Sequence, residues 1–157
     1  MIRAEEPRDR GAIVATTREA FGGEVEVFVV QHTKPLISLV YEDEGRVVGH
    51  VLVSRATVSG RPAAMIGPLS VRPERQRQGI GSALMEAAIK ATDERGEPII
   101  LLLGHPTYYP RFGFRSASEL GIEPPDERMA GPAWMALPLR AYDPALRGRA
   151  VFPPAFP

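Results

Sequence analysis

Residues 68–91 read PLSVRPERQRQGIGSALMEAAIKA, and the chain changes character twice within them. Pro68–Val71 closes a β-prone run. Arg72–Gly79 is a polar turn rich in arginine and glutamine. From Ile80 the small and apolar residues Ile80, Ala83, Leu84, Ala87, Ala88 and Ala91 recur at helical spacing. This period predicts a helix over 80–94, ended by Gly96. Ile99–Leu103 is wholly apolar and predicts a buried strand. A strand, a helix and a second apolar strand in that order imply a crossover connection and a local parallel pair.

Toward the N-terminus, Ala63–Val71 reads as a strand in which Gly67-Pro68 predicts a bulge or a splayed edge. Leu36–Tyr41 and Arg46–Ser54 flank Glu42-Asp43-Glu44-Gly45 and form a predicted hairpin, with a further strand over about 55–58 before Ser59-Gly60-Arg61-Pro62. Residues 8–21 have the pattern of a modest amphipathic helix, stopped by Gly22-Gly23. Over 24–33 helical spacing competes with the β-branched Val25, Val27, Val29 and Val30, and both readings stand. Toward the C-terminus, strands are expected near 112–116 and 133–139 with a Pro/Gly-rich loop between them. The tail Val151–Pro157 is expected to drape on the surface. The fold class is α+β, an antiparallel meander followed by a helical crossover and more strands, in one domain over 1–157.

Composition narrows the function classes. Basic and acidic residues both number 19, which argues against a dedicated nucleic-acid binder. No apolar run approaches the roughly 18 residues of a membrane span, and MIRAEEPRDRG lacks a signal-peptide core, so no membrane association and a cytoplasmic location are expected. The absence of cysteine removes disulfides and thiolate chemistry. His32, His50 and His105 form no ligand pair, so no metal site is expected.

The turn before the predicted helix carries the chemistry. A helix N-terminus presents unpartnered backbone N–H groups and the positive end of the helix dipole. Glycine there lets the backbone approach a phosphate, and Arg72, Arg75 and Arg77 form a local basic cluster able to add charge-assisted bonds. The chain has no Gly-Lys pair for a P-loop, and Leu84 stands where a dinucleotide fingerprint needs its third glycine. A Gly-Ile-Gly turn with arginines exposed for solubility is the plainer alternative.

The pattern Leu69-x-Val71-x-Pro73-x-x-Gln76-x-x-Gly79-x-Gly81, followed by an Ala/Leu-rich helix, resembles the acetyl-CoA signature of the GNAT superfamily of N-acetyltransferases. A second match is Tyr109-Pro110-Arg111-Phe112-Gly113-Phe114, where members commonly carry a tyrosine four residues before Gly-Phe. The string LGHPTYYPRFGF with WMALPL and GRAVFPPAF looks like a bacterial subfamily of predicted acetyltransferases, so the resemblance spans the chain from about Val47 onward. One departure is Leu102, at a position where many members place asparagine.

The resemblance implies a mixed, mostly antiparallel central sheet, splayed at the cofactor strand and flanked by helices. It implies acetyl-CoA as cosubstrate. Backbone groups of Leu69, Ser70 and Val71 would pair with the pantetheine arm, and the backbone around Leu69 would polarise the thioester carbonyl. N–H groups of Gln78, Gly79, Ile80, Gly81 and Ser82, with the side chains of Gln76 and Arg77, would hold the pyrophosphate, and Phe112 would line the cofactor site. The reaction implied is direct attack by a primary amine of a small molecule or protein. Tyr109 is the implied acid that protonates the departing thiolate. A core aromatic packed beside Phe112 and Phe114 is the plainer reading of Tyr109, and Tyr108 is its rival as acid. For deprotonating the amine, His50, His105, Glu24, Glu26 and a water chain all stand as candidates. Many members dimerise, so a homodimer is among the partners implied. A CoA-binding or ligand-sensing protein that keeps the fold but has lost turnover is the alternative from another class.

Overall fold

A computed structural model describes residues 1–157. It is α+β, with three α-helices and nine strands that pair mostly antiparallel. The chain divides into two compact units. The first comprises residues 1–54, 67–91 and 154–157, and the second 55–66 and 92–153. Strands β3 (Arg46–Val58) and β4 (Arg61–Val71) and helix α3 (Ile80–Glu94) contribute residues to both.

In the first unit, β1 (Ile2–Ala4), β2 (Pro35–Asp43) and β3 form an antiparallel ribbon, with Val40 opposite His50. The β2–β3 hairpin turns on Glu44 and Gly45, both left-handed at φ 52° and 76°, as a two-residue primed turn requires. Helix α1 (Arg10–Phe21) ends on Gly22, whose φ of 72° and N–H bond to the Arg18 carbonyl close the last turn. Residues 25–32 form helix α2, which resolves the competition in that segment. Val27 and Val30 are buried one helical turn apart, and Val30 packs with Ile13, Val40 and Val47, so tertiary burial outweighs the intrinsic β preference of the valines. Helix α3 begins at Ile80, as its period predicts, and packs closely on β3. A Cβ at Gly49 would lie 2.9 Å from Leu84 Cδ1 and 3.1 Å from Ile80 Cγ2, so Gly49 admits the first turn of the helix.

In the second unit the first half of β4 runs parallel to β5 (Ile99–Leu103), with Ala64 opposite Ile100 and Met65 opposite Leu101. This is the parallel pair that the strand–helix–strand order predicts, and its register stops two residues before Gly67. β5 pairs antiparallel with β8 (Trp134–Pro138), and β8 pairs with β6 (Arg115–Ser116). The Trp134 indole is fully buried, donates to the Ile122 carbonyl at 2.9 Å and packs against Phe152. Arg55 and Glu97 form a two-pronged ion pair at 2.7 and 2.8 Å that also joins Arg95.

Two sequence expectations change, and one strand is added. Residues 46–58 are one strand rather than two. The strand expected over 112–116 shrinks to β6, because Tyr109–Phe112 form a 3-10 turn with Pro110 in its first positions and Gly113 left-handed at φ 99°. The tail Val151–Pro157 has no buried residue, and a strand not expected from the sequence leads into it. Gly148–Val151 is strand β9, whose Ala150 is fully buried opposite Val58, and it also pairs with the short β7 (Ile122–Glu123).

Candidate active site

The residues singled out by the sequence fall into two groups, one in each unit. In the first unit, β4 ends at Val71 and a 3-10 turn, Pro73–Arg75, leads into the loop before α3. Two residues of this loop are left-handed, Arg77 at φ 63° and Gly79 at φ 84°. Gly79 accepts the first helical bond from the Ala83 N–H, and no atom lies within 4 Å of where its side chain would be. The helix therefore opens with its early N–H groups behind a glycine that faces open space.

The three arginines do not act as one cluster. Arg72 is buried, donates to the Val47 carbonyl at 3.0 Å and pairs with Glu19 at 2.9 Å. Arg75 is held by Asp43 at 2.9 Å and by Gln78. Arg77 is exposed, and its side chain makes no hydrogen bond or ion pair within the protein. The Gln76 side chain donates to the Val71 carbonyl at 3.0 Å and ties the loop to the end of β4. Gln78 is exposed and reaches the Glu74 carbonyl. Ile80 is buried under the helix, which leaves only its backbone for a ligand. Gly81 and Ser82 follow it in the first helical turn. On the strand, the Ser70 hydroxyl is buried against Thr17 of α1, while Leu69 and Val71 are partly exposed.

In the second unit, Tyr109 lies on the 3-10 turn beyond β5. Its ring meets Tyr108 edge-on at 5.0 Å and Phe114 at 6.1 Å, with Phe112 at 6.5 Å. Burial, with a smaller push from Tyr108, raises the Tyr109 pKa above its ordinary value. The phenol thus keeps its proton through the neutral range. Arg111 covers the Tyr108 ring at 4.3 Å. The packing of Tyr109 beside Phe112 and Phe114 matches the plainer reading of the residue, and is compatible with a half-exposed phenol that also does chemistry.

The base candidates fare differently. His105 is exposed. Glu24 is bound by Arg18 at 2.7 and 2.8 Å, which lowers its pKa. His50 is fully buried, and proton counting fixes its tautomer. The single Ser38 hydroxyl proton goes to the Glu5 carboxylate, so His50 Nε2 must donate to Ser38 Oγ at 2.8 Å. Its Nδ1 then carries a buried lone pair with no partner. Burial pushes the imidazole pKa down to about 4, against the pull of Glu5 and with a further push from Arg10. A group whose folded pKa lies below its unfolded value of 6.5 contributes full stability above 6.5 and loses it as pH falls toward 4. His50 is therefore expected to cost on the order of 2 kcal/mol of stability between pH 7.5 and 4.5. His50→Gln, followed by urea unfolding at both pH values, should flatten that loss; an unchanged slope would contradict the assignment.

No group of His, Cys, Asp and Glu residues is arranged to hold a metal ion, and no helix is long and apolar enough to cross a membrane. Sequence reasoning did not mark Gly104, whose backbone underlies the Tyr109 ring. Its φ is unremarkable and no turn signal points to it.

Strand β4, the Arg72–Gly79 loop and α3 lead in that order to β5, which runs parallel to β4. A family model described as an acetyltransferase (GNAT) domain matches residues 34–116. The chain is 34% identical over 155 residues to the uncharacterized N-acetyltransferase YjhQ of Escherichia coli K12, covering 89% of this chain and 84% of that one. It is 31% identical over 125 residues to the uncharacterized N-acetyltransferase YhbS of the same strain, covering 75% of each. Among solved structures, a GNAT family acetyltransferase from Brucella melitensis in complex with acetyl-CoA matches with a TM-score of 0.81 at 28% identity, over 99% of this chain and 96% of that chain. Escherichia coli YhbS in complex with CoA matches with a TM-score of 0.87 at 26% identity, over 99% and 90%. The chain belongs to the GNAT family of N-acetyltransferases.

Proposed function

We propose that this chain, acting as one domain over 1–157, transfers the acetyl group of acetyl-CoA to a primary amine by direct attack. The observation that carries the reading is the loop before α3, with Gly79 left-handed and open, and Arg77 exposed and unpaired. Two structures similar to this chain contain acetyl-CoA or CoA, which supports the choice of cosubstrate. Backbone N–H groups from Gln78 to Ser82 and the Arg77 guanidinium would bind the pyrophosphate. Gln76 would act mainly by shaping the loop. Leu69, Ser70 and Val71 would meet the pantetheine through their backbone, and Phe112 would offer apolar contact.

In the reaction the amine nitrogen attacks the thioester carbon, the C–S bond breaks, and the thiolate takes the Tyr109 phenol proton. The nitrogen gives up one proton as the amide forms, and solvent restores the phenol. The amine must be neutral to attack, although a lysine-type amine has a pKa of about 10.4. With His50 buried and Glu24 paired to Arg18, water is the proposed acceptor of that proton. Leu102, at the position where many members place asparagine, favours a second reading, a CoA-binding protein with weak or no turnover. A screen of primary amines with acetyl-CoA, read by release of the CoA thiol, separates the two. The transferase reading expects release that depends on the amine. Acetyl-CoA bound with no release for any amine would favour the second.

A further inference from the structure

We propose that Gly104 is the positioning residue of Tyr109, its bare backbone serving as the floor on which the tyrosine ring rests. The inference builds on the reading of Tyr109 as the acid. A Cβ built on Gly104 would collide with Tyr109 Cε2 and would fall 2.9 Å from Tyr109 Cδ2 and 3.0 Å from Leu102 Cδ1. These distances lie far inside the roughly 3.5–4.0 Å of a carbon–carbon contact. Gly104 is not in the left-handed region, so its backbone conformation makes no demand for glycine. The demand comes chiefly from the ring, with a lesser one from Leu102 Cδ1.

The floor cannot easily yield. The Gly104 N–H donates to the Ala133 carbonyl at 3.1 Å, one residue beyond the Leu103–Trp134 register of β5 and β8. Trp134 and Leu102 on these strands are both buried. The ring is held differently. No hydrogen bond within the protein fixes the phenol oxygen, and the tyrosine is kept in place by contact with Gly104 and edge-on packing against Tyr108 and the buried Phe114. A methyl group at 104 would therefore move the ring, by roughly 1 Å or more to restore normal contact. A shift of that size at a reacting group can cost up to about 100-fold in rate.

The test compares Gly104→Ala in two backgrounds, with acetyl-CoA and the primary amine that releases thiol fastest in the screen above. In the natural background kcat is expected to fall about 10- to 100-fold, with acetyl-CoA affinity changed less than about 2-fold. In the Tyr109→Phe background the same substitution is expected to change kcat by less than about 2-fold, since its effect passes through the phenol. Equal losses in both backgrounds would overturn the proposal. So would a crystal structure of Gly104→Ala with the ring unmoved, a reading that needs no turnover. If Gly104→Ala does not fold, Gly104→Ala/Tyr109→Ala should, because the ring it displaces is gone; failure of both would overturn the proposal. A Tyr109→Phe enzyme with unaltered kcat would instead sink the acid role and leave the packing result standing.

Discussion

Valine at position 79 is expected to weaken acetyl-CoA binding by at least about 100-fold while leaving the protein folded. Gly79 has φ 84°, where a side chain costs roughly 1–2 kcal/mol and a β-branched one more. No atom lies within 4 Å of its would-be Cβ, so the cost is conformational, and it falls on the residue that precedes α3 and accepts its first helical bond. Stability of the order of 5–15 kcal/mol can absorb it. The loop cannot, because escape from the left-handed region rotates the N–H groups proposed to face the pyrophosphate. Calorimetric titration of the variant checks this, with circular dichroism to confirm folding. Undiminished affinity would remove the loop from the cofactor site.

Tyr109→Phe is expected to lower kcat by about 100-fold or more, the usual contribution of a positioned acid, with little change in acetyl-CoA affinity. The substitution keeps the ring, and with it the contacts to Gly104 and Phe114, and removes only the proton donor. Because the phenol must hold its proton to act, and burial raises its pKa, kcat of the natural enzyme should decline only at pH above the ordinary range of a tyrosine phenol. That alkaline decline should be missing from the variant. Stopped thiol-release assays across pH read both effects, and an equal rate for the two enzymes would return Tyr109 to a packing role.

Local physics made the centre of the chain legible. The period from Ile80 marks α3 to the residue, and Glu44-Gly45 specifies its hairpin, because both depend on neighbours in sequence. Longer-range effects were not legible. Val25–His32 is helical because Val27 and Val30 find a core. β9 exists because Val58 and Thr57, some ninety residues earlier, offer partners to Ala150 and Val151. Arg72 sits in the same sequence cluster as Arg77 but turns inward to Glu19, a distinction that spacing cannot express. At the site, the glycine with a left-handed backbone stood in a recognisable pattern, whereas Gly104 is required by a ring five residues away and carries no signature of its own.

The most direct test of the central claim is isothermal titration of the purified protein with acetyl-CoA, with ATP as control. The account predicts saturable binding at one site per chain, in the micromolar range of about −8 kcal/mol, and no heat from ATP. Absence of binding up to several hundred micromolar, a threshold of roughly −5 kcal/mol, in a folded sample would contradict it.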